Sequence, residues 1–150
     1  MFKAVTNRKS REGFTLVELA VVIVIVGVLA AFGVPRFMTS VERSKAAEAF
    51  NYLSAVRASQ ERYLAREGTY AALITALDIS FPSPTYFTVG SIAAGATSSL
   101  ETSWSLTLTR IGAAAGYGAY TVTFTQDGYD SSNSTIDGLR AINPMSIPTS

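Results

Sequence analysis

The chain contains no cysteine and no histidine. The first absence excludes a disulfide framework and thiol nucleophiles. The second removes the imidazole that zinc sets and Ser–His triads rely on. Lysine is scarce as well. Beyond the first 13 residues only Lys45 remains, and the nearby hydroxyl of Ser44 is adjacent in sequence rather than facing it. A Ser–Lys nucleophile therefore has no support, and spacing alone places no carboxylate pair. The expectation is a non-enzymatic protein without cofactor or metal. Charge is thin too: 15% of the 150 residues against 48% hydrophobic ones. With 12 Lys and Arg against 11 Asp and Glu the net charge is +1, which gives no basic field for nucleic acid. Arg57, Arg62 and Arg66 stand among acids, and the aromatics along the same stretch read as packing residues. Few charges with much apolar content argue against disorder and for a membrane segment or a crowded assembly.

What is present is an uncharged run. Between Glu12 and Arg36 the only charge is Glu18, and Phe14–Val34 spans 21 residues. As a helix that run measures roughly 31 Å, about a bilayer core. Lys3, Arg8, Lys9 and Arg11 precede it against Glu12 alone, which keeps the leader cytoplasmic and exports the rest. Three readings compete: a secretory signal cut after Ala30 or Ala31, a plain single-span anchor, or a segment cut on its cytoplasmic side that keeps its apolar part. Glu18 separates them. A carboxylate one turn into an apolar span is expensive and marks function. A secretory signal gains nothing from it.

The residues Gly13-Phe14-Thr15-Leu16-Val17-Glu18, with the basic leader before them and the apolar span to Pro35 behind, resemble the class III signal of type IV pilins and of type II secretion pseudopilins. The resemblance is strong from Met1 to about Tyr70 and architectural beyond. It implies a pilin fold of the α+β class, with a long N-terminal helix on a small antiparallel sheet. It also implies cleavage by prepilin peptidase between Gly13 and Phe14, N-methylation of Phe14, and a register role for Glu18 opposite the Phe14 amine of a neighbouring subunit. The implied partners are copies of the chain, minor pilins, an inner-membrane assembly platform with its ATPase, and lipid before assembly. The implied location is the bacterial inner membrane, single-pass, and then an extracellular or periplasmic filament. Removing four of the 12 cations and one of the 11 acids with residues 1–13 leaves 8 against 10, a net of −2. A membrane-tethered or secreted binding module is the alternative from another class.

After Pro35 the pattern stays helical and becomes amphipathic. Ala46, Ala49, Phe50, Leu53, Val56, Tyr63 and Leu64 recur at spacings of mostly three or four, and Gly68 is a plausible stop. Glu42 and Lys45 form an i,i+3 pair, and Arg57 and Glu61 an i,i+4 pair. Gly27, Gly33 and Pro35 are the weak points of the first half. Two readings stand there: a kink in a membrane helix, or a stretch that extends when subunits pack. The resemblance implies the second.

The expected organisation is therefore a leader over 1–13, an apolar helix half over 14–35 and an exported domain over 36–150. Within that domain come an amphipathic helix over 36–66, a loop over 68–85 with short turns at Ala71–Leu77, and strands at about 86–92, 104–110 and 119–126. The C-terminal region 127–150 is turn-rich, with one more edge strand near Thr135–Ile142. Many pilins close this region with a disulfide, which this chain cannot make. Major pseudopilins hold calcium there, and Asp127, Asp130, Asn133 and Asp137 offer oxygen atoms at short range. Asp127-Gly128 is also a hairpin signal, which is the favoured reading. Asn133-Ser134-Thr135 fits a glycan acceptor pattern too common to use.

Overall fold

A computed structural model describes residues 13–112 and 116–146. Residues 1–12 of the expected leader lie outside them, as do part of the Gly112–Gly118 turn and the last four residues. The chain divides into two units between Phe37 and Met38.

In the first unit the helix α1 (Leu16–Glu67) begins. Every residue of 13–37 is exposed. Val, Ile, Leu, Ala and Phe run all round the helix, so no face is polar enough to prefer water. By length and composition this stretch can cross a bilayer. Gly27, Gly33 and Pro35 all fall inside α1, which stays helical through them.

The second unit is helix on sheet. Here α1 is amphipathic, and its buried side carries Glu42, Ala46, Ala49, Phe50, Leu53, Val56 and Gln60. Ala46 and Ala49 are completely buried. The sheet is antiparallel throughout, in the order β1 (Phe87–Val89), β3 (Trp104–Arg110), β4 (Thr121–Thr125), β5 (Gly128–Tyr129). The strand β2 (Ala93–Ala94) also pairs with β3. Alternation decides the faces. Trp104, Leu106, Leu108 and Arg110 point inward from β3, and Val122 and Phe124 from β4. They share one core with Phe50, Leu53 and Val56, and the Phe50 and Phe124 rings meet edge-on at 5.8 Å. Leu64 packs at the margin, half-buried.

Several expectations need correction. The strand expected over 86–92 ends at Val89, and a separate β2 starts at Ala93, inside a run read as turn. Gly90 is the cause: its N–H bonds the Thr107 carbonyl, and a Cβ there would lie 2.7 Å from that oxygen. The strand expected over 119–126 is Thr121–Thr125. No strand forms near Thr135–Ile142, where Thr135–Gly138 is a 3-10 turn. Side chains occupy the outer edge of β4 instead. The Thr121 N–H donates to Thr135 Oγ1 at 2.7 Å and the Thr123 N–H to Ser134 Oγ at 2.8 Å. Hydroxyls thus stand in for a neighbouring strand and protect an edge that is otherwise sticky. The expected Arg57–Glu61 pair does not form either. Arg57 donates to the Gln126 carbonyl at 2.8 Å, and Glu61 accepts from Tyr70 at 3.5 Å.

The loop after the helix is tied back by helix side chains. Gly68 N–H closes α1 on the Leu64 carbonyl. The Gln60 amide makes two bonds to the Ala71 backbone, at 2.8 and 3.0 Å, as a strand neighbour would. Asp78 accepts from Ser59 and from Arg62, and Glu48 accepts from the N–H groups of Thr85 and Tyr86. Chain entry into β1 is thereby fixed from the helix.

Candidate functional site

The sequence points to Gly13, Phe14 and Glu18, and the structure places them at the start of α1. Gly13, Phe14 and Thr15 precede the first helical residue, Leu16. Phe14 is 82% exposed. Thr15 is the N-cap. Its N–H and its hydroxyl both donate to Glu18 Oε2 at 2.8 Å, and the Glu18 N–H donates back to Thr15 Oγ1 at 3.2 Å. This is a reciprocal capping box, two orphan donors of the first turn each satisfied by the other residue's side chain. The Glu18 anion also sits at the positive end of the helix.

Two chemical consequences follow. The carboxylate is hydrogen-bonded within its own chain, which lowers the penalty of carrying it into an apolar medium. Only Oε2 is used, and Oε1 has no partner among the described residues. One oxygen thus holds the orientation of the carboxylate, and the other is left unbonded among the described residues. The reading of the sequence missed Thr15. The signal was there, because Thr-x-x-Glu ahead of an apolar run is the capping-box pattern. Gly27, Gly33 and Pro35 are not brought near this site; they lie further along the same helix.

A second polar constellation went unrecognised. Glu42, expected only as an i,i+3 partner of Lys45, is 1% exposed. Arg110 grips it with two bonds, Nε to Oε1 at 2.6 Å and Nη2 to Oε2 at 3.1 Å, and Tyr120 Oη donates to Oε1 at 3.0 Å. Lys45 Nζ stands 3.7 Å from Oε2 and 5.0 Å from the Tyr86 ring centre. Arg110 also donates to the Tyr86 and Ile111 carbonyls. Burial pushes the Glu42 carboxyl up, but hydrogen bonds from Arg110 and Tyr120 and the charges of Arg110 and Lys45 outweigh it and hold it below the ordinary range. Burial, followed by the Glu42 carboxylate, pushes the Tyr120 hydroxyl well above its ordinary range. A carboxylate held this firmly ionised and enclosed is no general acid. It fixes the helix on the sheet.

The C-terminal acids serve turns. Thr125 pairs with Gly128 and Phe124 with Tyr129, so Asp127-Gly128 lies in a hairpin, with Gly128 at φ 111°, where a side chain would be strained. Asp130 accepts from the N–H groups of Ser132 and Asn133 and from the Asn133 amide. Among the described residues no three His, Cys, Asp or Glu side chains gather as a metal set.

With this geometry the comparisons with known proteins agree. Residues 8–34 match the family model for the prokaryotic N-terminal methylation motif. The fimbrial protein EcpC of Eikenella corrodens is 37% identical over 65 residues, 43% of this chain and 42% of that protein. The type IV major pilin protein PilA of Myxococcus xanthus is 39% identical over 65 residues, 43% of this chain and 29% of that one. The type II secretion system core protein G of Pseudomonas aeruginosa is 33% identical over 79 residues, 53% and 56% of the two chains. The chain thus spans between 29% and 56% of these relatives' lengths. No solved structure matches.

Proposed function

We propose that this chain is a structural subunit of a type IV pilus, held in the inner membrane by residues 14–35 and then assembled into a helical filament. The observation that carries the reading is the first unit. Its apolar helix buries no residue within the chain, yet it carries the methylation motif and one oriented carboxylate. Such a surface is stable only in lipid or against copies of itself. Prepilin peptidase removes residues 1–13 and the amine of Phe14 is methylated. The new ammonium of one subunit then meets Glu18 Oε1 of another, and the pair sets the axial register that sliding Val, Ile and Leu surfaces leave open. Gly27, Gly33 and Pro35 are where α1 yields when helices pack. Minor pilins, the membrane platform and its ATPase serve this assembly, and the filament projects from the cell.

The test is the mass and N-terminal residue of protein sheared from the cell surface. Phe14, one methyl group heavier, is the expected terminus. Replacing Gly13 with leucine should leave the leader attached and remove filaments; normal processing of that variant overturns the reading. A terminus at Ala31 or at Met1 instead supports a tethered or secreted binding module.

A second reading, a type II secretion pseudopilin, is favoured by one observation: the similarity to core protein G covers 79 residues, against 65 for the fimbrial protein EcpC and for PilA. Deleting the chain separates the two. Loss of surface filaments with normal protein export supports the pilus, and loss of export supports the pseudopilus.

A further inference from the structure

The outward face of the sheet carries hydroxyls in register. Ser105 faces Thr125, Thr107 faces Thr123 and Thr109 faces Thr121. These six positions hold no charged side chain, whereas a solvated sheet face ordinarily mixes charges of both signs. Part of this face is concave. Ala94, Gly95 and Ala96 wall it on one side, Asp130 and Asn133 on the other, and the open groove between them has a volume of about 420 Å³. That is within the range of small-ligand sites, roughly 300–1,000 Å³.

The hydrogen bonds inside the groove are only partly used. Thr123 spends its hydroxyl proton on the Asn133 carbonyl at 2.9 Å, so in the 2.9 Å contact with Thr107 it is Thr107 that donates. Thr107 keeps its lone pairs for an incoming donor. Thr125 accepts from the Asp127 N–H at 3.3 Å and keeps its own proton. The Ser105 hydroxyl makes no hydrogen bond among the described residues, and neither does Asn133 Oδ1. Donors and acceptors therefore alternate along a floor with small apolar methyl groups at one wall. The single acid, Asp130, already accepts three hydrogen bonds on its two oxygens, and no cation lines the groove. An anion finds no counter-charge, and a cation finds one carboxylate that must first give up its local bonds. What matches is a neutral molecule whose neighbouring groups both donate and accept and which offers a C–H face to the methyl wall.

We infer that this groove binds a neutral pyranose sugar of an oligosaccharide, with Ser105, Thr107, Thr125 and Asn133 as its hydrogen-bonding residues and Ala94 and Ala96 against the ring. The site lies on a unit separate from the apolar segment, so it does not rest on the assembly reading.

Saturation-transfer NMR tests this on the full chain in micelles of a detergent without a sugar head group. The probes are cellotetraose, maltotetraose and chitotetraose, with tetragalacturonate as the anionic comparison. At least one neutral probe should receive saturation, and the anionic one should not. Ser105→Val should lower the signal at least five-fold, and Thr109→Val, on the same face but outside the groove, should leave it unchanged. Circular dichroism checks that both variants fold, and Thr125→Val replaces Ser105→Val if that variant does not. No transfer to any neutral probe, or an equal signal from a folded groove variant, overturns the site. Filament formation by Ser105→Val is expected to be normal, which keeps this outcome apart from the assembly test.

Discussion

Glu18 and Glu42 stand on the same helix, and the two units treat them in opposite ways. In the first unit the carboxylate is exposed and bonded to a residue three positions away. In the second it is enclosed and bonded to residues 68 and 78 positions away. A local cap needs one helical turn and nothing else, so Glu18 stays oriented whether lipid or another subunit surrounds it. A long-range clamp exists only when helix and sheet are both in place, so Glu42 reports on the domain. One acid is free for an external partner, and the other has spent both oxygens internally.

The largest effect comes from breaking the clamp on one side. Arg110→Leu leaves a buried carboxylate with only Tyr120 and the partly exposed Lys45 at 3.7 Å, and losing one member of a buried pair costs about 3–5 kcal/mol. Against a total stability of roughly 5–15 kcal/mol that is enough to bring the domain near unfolding at 37 °C. Urea titration followed at Trp104 should show it. The double variant Glu42→Leu, Arg110→Leu should recover much of the loss. If it is no better than Arg110→Leu alone, the clamp is not a coupled pair.

The matching change in the first unit should leave the domain untouched. Glu18→Ala is expected to be cleaved, since Gly13 and Phe14 remain, while filaments vanish or fall sharply. The urea midpoint of the sheet domain should not move. Electron microscopy of sheared fractions, with processed protein checked in the membrane pool, reads the outcome. Abundant filaments built only from Glu18→Ala subunits remove the carboxylate from register control.

Acid sharpens the contrast further. The Glu42 carboxyl titrates lower in the folded chain than the roughly 4.3 of an unfolded glutamate. Its contribution is therefore complete above about pH 4.3 and is lost as the pH falls through the folded value. Asp78 is lowered as well, chiefly by its hydrogen bonds to Arg62 and Ser59, and adds to the same limb. Tyr120, raised by burial and by Glu42, acts at the other end: its contribution is full below about pH 10 and declines above. Urea midpoints at pH 7, 4 and 3 should fall in that order, and the fall should be shallower in the Glu42→Leu, Arg110→Leu chain.

How much of this could be read beforehand follows from the range of each interaction. The apolar run, the helix after Pro35 and the bounds of β3 are carried by local periodicity, and they were legible. Arg110 was legible in principle, since it ends the inward series Trp104, Leu106, Leu108 in strict alternation. Glu42 likewise lies four residues before Ala46 on the buried stripe. Glu42 was paired only with its sequence neighbour Lys45, and Arg110 was taken only as the end of a strand, so neither was placed by the parity of its own element. The Ser134 and Thr135 plug on β4 had no such signal. Two hydroxyls in a turn-rich tail specify nothing until a strand edge is placed beside them. The same holds for Gln60, whose bidentate hold on Ala71 exists only after the chain turns back at Gly68.

The smallest expected effect belongs to Thr15, and it divides the two duties of Glu18. Thr15→Ala removes the hydroxyl that donates to Oε2 and the oxygen that receives the Glu18 N–H, and leaves the Thr15 backbone bond in place. Loss of an N-cap hydroxyl is worth about 1 kcal/mol, a factor of roughly five in the opening of the first turn. The charge and Oε1 are retained, so the proposed pairing with a neighbouring amine would remain available but less well oriented. Filaments should still form from Thr15→Ala subunits, in reduced number and with more subunits left in the membrane, while Thr15→Ser should behave as the unaltered chain. Hydrogen exchange in micelles should show faster exchange over residues 16–19 and no change beyond Met38. Filament loss in Thr15→Ala as complete as in Glu18→Ala would mean that the cap itself, rather than the free oxygen, governs assembly.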